Sequence, residues 1–220
     1  LNAGFGANTG SVSNNGGNIN QLAAGGSNNS ALSVSLDTSS AGPKSGSATL
    51  NYQSDGTGTS GLAAIGPGNQ TINVTGNVYP LASANTLGAV SFGNVHVGDT
   101  VQQALNITNT AIADGFSERL NASFGASSDA RITTSGSITQ LAAGASNNAS
   151  LIVGLNTSAA GTVNGTQTVN FASDGTGTSG LGITGLASQI IGVSGDIAAN
   201  GNVFRLASAS AATPNPVNFG

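Results

Sequence analysis

Apolar residues along this chain fall on every second position in short runs, with Gly, Asn, Ser and Asp clustered between the runs. Leu151, Val153 and Leu155 make the clearest run, and Leu32, Val34 and Leu36 make another. Such alternation predicts strands with one buried face. Leu120, Ala122 and Phe124 read the same way, as do Val169 with Phe171 and Ile191 with Val193. Leu1, Ala3 and Phe5, Leu50 with Tyr52, and Ile72 with Val74 repeat that series earlier in the chain. Val90 and Phe92 alternate, and after Gly93 the phase moves by one residue to Val95 and Val97. That shift fits a bulge, or a strand crossing between two sheets. Val101, Gln103, Leu105 and Ile107 follow as the next strand. No segment keeps a 3.6-residue period, and Gly, Asn, Thr and β-branched residues dominate, so helix is nearly excluded.

The runs belong to a duplication. Ser-Asp-Gly-Thr-Gly-Thr-Ser-Gly-Leu at 54–62 recurs unchanged at 173–181, an offset of 119. Gln-Leu-Ala-Ala-Gly at 21–25 recurs at 140–144, and Leu-Asn-Ala at 1–3 recurs at 120–122, at the same offset. A constant long period marks a tandem array. The second copy inserts six residues, around 198–201, before Val203 and Phe204. With seven or so short strands per copy, the predicted fold is all-β, as tandem immunoglobulin-like β-sandwich domains. A β-helix or solenoid is the alternative, but solenoids repeat every ~20–30 residues and only the long period is found.

The domains expected are 1–85, a repeat lacking its first strands, and 86–210, a complete repeat, with 211–220 a linker and the start of a third. Linkers are expected at 81–88 and 206–216. About 30 residues precede Leu120 that have no counterpart before Leu1, and Val217, Phe219 and Gly220 repeat Val90, Phe92 and Gly93. A sandwich without its first strands keeps unpaired edges and an open core. The expectation is a window cut from a longer array, or a subunit whose first domain is completed by strands from neighbouring repeats or copies of itself, head to tail. The first domain should then show a foreign strand beside 32–36 or 1–6, or an exposed apolar cleft.

Composition narrows the function classes. Apolar residues make up 38% of the 220 residues, enough to bury cores, whereas charged residues make up only 5%. Lys44, Arg119, Arg131 and Arg205 are the four basic residues, and the net charge is −4. Without a basic patch the chain is a poor partner for nucleic acid or for an anionic membrane surface. No apolar run reaches 18 residues, so no membrane insertion by helix is expected. Cys, Met and Trp are absent, which removes disulfides, zinc–thiolate sites and thiol nucleophiles.

Val90-Ser91-Phe92-Gly93-Asn94-Val95-His96-Val97-Gly98, followed by Leu105-Asn106-Ile107-Thr108-Asn109-Thr110, resembles the opening of the bacterial Ig-like repeats called choice-of-anchor D, related to the ASH/MSP-type sandwiches. The resemblance covers one complete copy and reaches the first copy through internal similarity. It implies a scaffold or adhesive role at the bacterial surface or outside the cell, with no catalytic residues to carry over.

Candidate chemistry is sparse. His96, the only histidine, lies between Val95 and Val97 and so on an outer face, with no triad or metal companion in sequence. Asp55 and Asp174 open the repeated loop, where carboxylate, Thr and backbone oxygens suggest a calcium site. The other reading is a tight turn, with Asp accepting from following N–H groups and Gly supplying positive φ. Calcium prefers several carboxylates, and each loop offers one. Gly56-x-Gly58 precedes no helix and has no Lys nearby, so it is not a phosphate cradle. Rows of Asn, Ser and Thr on outer faces make a glycan the alternative ligand. The function expected is a non-enzymatic extracellular structural module of a bacterial surface fibre, adhesin stalk or biofilm filament, without cofactors. The alternative is a calcium- or glycan-binding adhesive module.

Overall fold

The computed structural model describes residues 1–194 and 202–210, and these residues form no helix. Two compact units are present, Leu1–Pro80 and Leu81–Gly220. The architecture is all-β and sandwich-type, with neither a closed barrel nor a solenoid. The alternating runs become strands because each presents an apolar side chain to one face at every second residue.

Unit 2 contains β7 (Asn94–His96), β8 (Val101–Ala104), β9 (Ile107–Thr108), β10 (Arg119–Ser127), β11 (Ile132–Ser135), β12 (Ser137–Leu141), β13 (Ser146–Asn147), β14 (Ile152–Leu155), β15 (Gly161–Thr162), β16 (Gly165–Asp174), β17 (Ile183–Gly185), β18 (Gln189–Val193) and β19 (Asn202–Phe204). These follow six strands of unit 1, described below, and keep chain order. One layer is built on β10 and β16, flanked by β12 on one side and by β17 and β18 on the other. The opposite layer holds β11, β14 and β8, with the short pairs β9–β13 and β15–β19–β7 around it. Leu120, Val169, Phe171 and Val193 from the first layer meet Leu105, Ile107, Val153 and Leu155 from the second in a single core. Phe171 is 4% exposed, on the face its alternation predicts.

Gly93 marks the place where the chain changes layers. Before it, Val90 bridges Val193 of β18 in parallel; after it, β7 pairs with β19, also in parallel. Gly93 has φ 64°, a left-handed conformation that glycine adopts without strain. Val95 beyond it is buried again, so the one-residue phase shift is a strand crossing between sheets. The following strand departs from expectation. Val101, Gln103, Leu105 and Ile107 are not one continuous run, since Gln103 is exposed and the chain leaves β14 to join β13 at Ile107. Leu105 makes the transition, its N–H donating to Leu151 O at 2.8 Å.

Residues 81–88 are not a free linker. Ala82 lies in the core and Leu87 packs against it. Ala82 N–H donates to Ser173 Oγ (2.7 Å) and Ser83 N–H to Asn109 Oδ1 (3.2 Å). Asn109 is fully buried and uses all of its amide capacity. Its Nδ2 donates to Glu118 O and Leu141 O (3.0 and 3.1 Å), and its Oδ1 also accepts from Ala111 N–H (3.2 Å). Of the second expected linker, Leu206 is exposed. The rest of it, the 195–201 stretch and the start of a third repeat lie wholly or partly outside the described residues.

Unit 1 contains β1 (Asn2–Gly10), β2 (Val12–Asn14), β3 (Asn18–Ile19), β4 (Val34–Leu36), β5 (Gly42–Ser54) and β6 (Ile65–Val78). Its sheet runs β3-β1-β5-β6, and β2 pairs with β4 alone. The register repeats that of unit 2: Ala3 faces Tyr52 as Ala122 faces Phe171, and both strands bulge after the next Phe, Phe5 or Phe124. Val12 faces Leu36 as Ile132 faces Leu155, although Val12 aligns in sequence with Arg131, so this strand pair is shifted by one residue between the copies. Gly42 pairs with Val78, whereas its counterpart Gly161 pairs with Val203, six residues further on, as the insertion requires.

The main difference is burial. Leu1 is 44% exposed where Leu120 is fully buried. Ile19, Leu32, Val34 and Ile72 are half-buried where Ile138, Leu151, Val153 and Ile191 are buried. Unit 1 has the strands of the core but no counterpart of 82–118 over them, and an apolar cleft of about 330 Å³ opens on that face. Burial therefore predicts unequal responses to equivalent truncations. Phe171→Ala should cost roughly 3–5 kcal/mol. Tyr52→Ala, at the matching but half-exposed position, should cost less than about half of that. Urea denaturation followed by hydrogen exchange resolved on each unit measures both.

Candidate functional site

The repeated loop folds identically in the two copies. After β5, Thr59 N–H and Gly61 N–H donate to Gly56 O (3.1 and 2.8 Å); after β16, Thr178 N–H and Gly180 N–H donate to Gly175 O (3.0 and 2.7 Å). Gly61 and Gly180 take φ 69° and 74°, closing the loop where a Cβ would be strained.

The carboxylate at its start points into a network. Asp174 Oδ1 accepts from Thr176 N–H (3.0 Å) and from the Thr176 hydroxyl (2.5 Å). Asp174 Oδ2 accepts from Asn121 Nδ2 (3.0 Å) and Gln140 Nε2 (3.2 Å), and Gln140 Nε2 also reaches Thr176 Oγ1 (2.8 Å). Asn121 Oδ1 in turn accepts the Gln140 backbone N–H (2.6 Å). In unit 1, Asp55 accepts from Thr57 N–H (2.9 Å), Thr57 Oγ1 (2.6 Å) and Asn2 Nδ2 (3.1 Å), while Gln21 N–H donates to Asn2 Oδ1 (2.7 Å). Gln21 and Gln140 sit at φ 51° and 53°, unusual for residues other than glycine. The bond from each N–H to the Asn side chain holds that conformation.

Three motifs that stand apart in sequence therefore form one clamp. Leu-Asn-Ala supplies the Asn on β1 or β10, Gln-Leu-Ala-Ala-Gly the Gln beyond β3 or in β12, and the Asp-Gly-Thr loop the acceptor. The Thr176 hydroxyl, then Asn121 and the Thr176 N–H, pull the Asp174 carboxyl down to about 2 from its ordinary 3.8. The Thr57 hydroxyl and N–H, with Asn2, likewise lower Asp55. A carboxylate offers about four lone-pair sites, and Asp174 accepts four protein donors. A cation at Asp174 would have to displace them. Among the described residues no three His, Cys, Asp or Glu side chains lie close enough to share a metal ion.

Unit 2 adds a carboxylate that sequence reasoning missed. Glu118, 2% exposed, accepts from the hydroxyls of Ser173 (2.7 Å) and Ser179 (2.5 Å), closing the same loop from inside. Its only signal was a position beside Arg119 at the head of the strand. A Cβ on Gly175 would lie 2.5 Å from Glu118 Oε1, so the glycine also makes room for the carboxylate. Beside the Asp55 loop lies an open hollow of about 580 Å³ bordered by Leu1, Gln21 and Thr59. The matching hollow in unit 2 is about 350 Å³, because Ala113, Ser117 and Arg119 stand in it.

His96 is exposed, with Nδ1 3.6 Å from Asp99 Oδ2, and the Asp99 carboxylate caps the turn by accepting His96 N–H at 2.8 Å. No other catalytic group faces it in these contacts. Among the described residues no helix is long and apolar enough to cross a membrane. No protein-family model matches the chain, and comparison with curated proteins returns no relative.

The lowered Asp174 pKa fixes a pH response. A carboxyl depressed in the folded state stabilises it fully above the unfolded value near 3.8 and loses that contribution as pH falls toward 2. The melting temperature of unit 2 should therefore drop between about pH 4 and pH 2. In Asp174→Asn that drop should be shallower and the starting stability lower. Calorimetric melting across this window checks both effects.

Proposed function

We propose that the chain is a non-enzymatic structural repeat of an extracellular bacterial surface fibre, adhesin stalk or biofilm-matrix filament. The observation that carries this reading is the clamp: the most faithfully repeated residues serve to hold loop to strand. All seven acidic residues among the described ones act in that manner, accepting bonds from nearby backbone or hydroxyl groups. The resemblance of residues 90–98 and 105–110 to choice-of-anchor D repeats points the same way. So does a surface that relies on Asn, Ser and Thr for solubility, and whose stability is little affected by salt because few charges are present to screen.

The mechanism is spacing. Each complete repeat buries its own core, and repeats joined in tandem set a distance from the cell. Antibody raised against the chain should label intact cells of the source organism, and deleting the gene should remove a surface fibre seen by electron microscopy. Signal confined to permeabilised cells would overturn the assignment.

The competing reading, in which Asp55 and Asp174 hold calcium, has a separate test. Melting temperatures in excess calcium and in chelator should agree within about 1 °C, because a ligand that binds only the folded state raises stability. Stabilisation by several degrees would transfer the two aspartates to a metal-binding role.

A further inference from the structure

We infer that unit 2 binds a sugar carboxylate, a uronic-acid residue of an acidic polysaccharide, in the hollow beside the Asp174 loop. The site lies wholly within unit 2, between residues 113 and 178. It goes beyond the structural-repeat reading and does not depend on it.

Two independent observations meet there. The first is an unspent cation. Arg119 heads β10, and its side chain runs along Gly177, where a Cβ would lie 3.4 Å from Arg119 Nε. Glycine at 177 leaves that space to the arginine. Arg131 is held by Asp129 and Thr162 O, and Lys44 donates to Ser40 Oγ (2.6 Å). Arg119 forms no ion pair or side-chain hydrogen bond among the described residues. Its acidic neighbours are already taken. Asp174 accepts four donors, Glu118 accepts the hydroxyls of Ser173 and Ser179, and Asp114 accepts the N–H groups of Phe116 and Ser117 (2.8 and 2.9 Å). The second observation is an unsatisfied hydroxyl. Ser117 is 6% exposed, and its Oγ has no hydrogen-bond partner. A buried hydroxyl left so is costly, and a guest that bonds to it recovers the loss.

Both residues line the same hollow of about 350 Å³, at the small end of ligand pockets and of a size for one sugar ring. Its chemistry selects the guest. Arg119 is the only charged side chain among the lining residues, so the hollow balances a single negative charge. The carboxylates at 114, 118 and 174 nearby stand against a doubly charged phosphate. The planar guanidinium fork matches the two oxygens of a carboxylate. Ser117 and Thr178 offer hydroxyls to the ring hydroxyls of the same sugar, between walls of Ala and Gly. No aromatic ring lines the hollow, so one site binds weakly, and a polysaccharide gains by engaging several repeats at once.

The test titrates methyl glucuronide, methyl glucoside and acetate separately into the full 220-residue chain, followed by backbone NMR. Methyl glucuronide should shift the amides of residues 113–119, 142–143 and 177–178 saturably. The glucoside, without the charge, and acetate, without the ring, should each bind about tenfold more weakly or less. Arg119→Gln should reduce glucuronide binding to the level of the glucoside and leave the melting temperature unchanged, since it breaks no bond within the protein. No saturable shift, or equal binding of glucuronide and glucoside, would overturn the inference. So would acetate binding as tightly as the glucuronide, because only the charge would then be read, or full glucuronide affinity in folded Arg119→Gln. The ligand comparison uses the unaltered chain, so it decides the matter whether or not the variant folds. None of these outcomes alters the surface-labelling result, so this inference and the functional reading fail separately.

Discussion

A sheet with one apolar face is stable only when something lies on that face, and the two halves of this chain show the consequence of having the cover and of lacking it. In unit 2 the segment from Ala82 to Asn109 crosses the face of β10 and β16 and pairs along β14, and the residues beneath become a closed core. Asn109 pins the segment. Its four amide hydrogen bonds bind residues 83, 111, 118 and 141 together, and no water could reach a fully buried side chain to replace a lost partner. In unit 1, β1 and β5 keep the register of β10 and β16, but Ile19, Leu32, Val34 and Ile72 stay half-buried. Strand formation here is thus local and set by alternation, whereas core formation depends on a segment distant along the chain.

Much of this was legible beforehand. Alternation placed Val153, Leu155, Val169, Phe171 and Val193 inward correctly, because a strand's two faces are fixed by its period. The phase shift at Gly93 correctly marked the passage between layers. What escaped was longer in range. Residues 81–88 look like a linker, being small and polar, yet Ala82 and Leu87 enter the core because side chains from 109 and 173 hold the backbone down. The run from Val101 to Ile107 looks continuous, yet it changes partner midway, and a change of partner leaves no trace in periodicity.

The clamp was visible only in pieces. Its three motifs were the most faithful repeats in the sequence, but nothing in a linear reading says that Asn121, Gln140 and Asp174 touch. Once assembled, they account for the aspartate as an acceptor for hydroxyl and amide donors. Glu118 follows the same logic in a drier place, taking two serine hydroxyls rather than a cation. In a chain with so few charges, the acidic side chains act as fasteners for turns, and ion pairing is limited mainly to Arg131 with Asp129 at 3.0 Å.

The parallel pairing of β7 with β19, and of Val90 with Val193, has a consequence for tension. Two parallel strands receive the chain at one end and release it at the other, so a pull along the polypeptide runs down the strands and not across them. Their hydrogen bonds are then loaded together in shear, and none can be peeled ahead of its neighbours as in an antiparallel pair opened from its free end. Unit 2 is arranged to resist stretching along its own axis more strongly than a hairpin of equal length would.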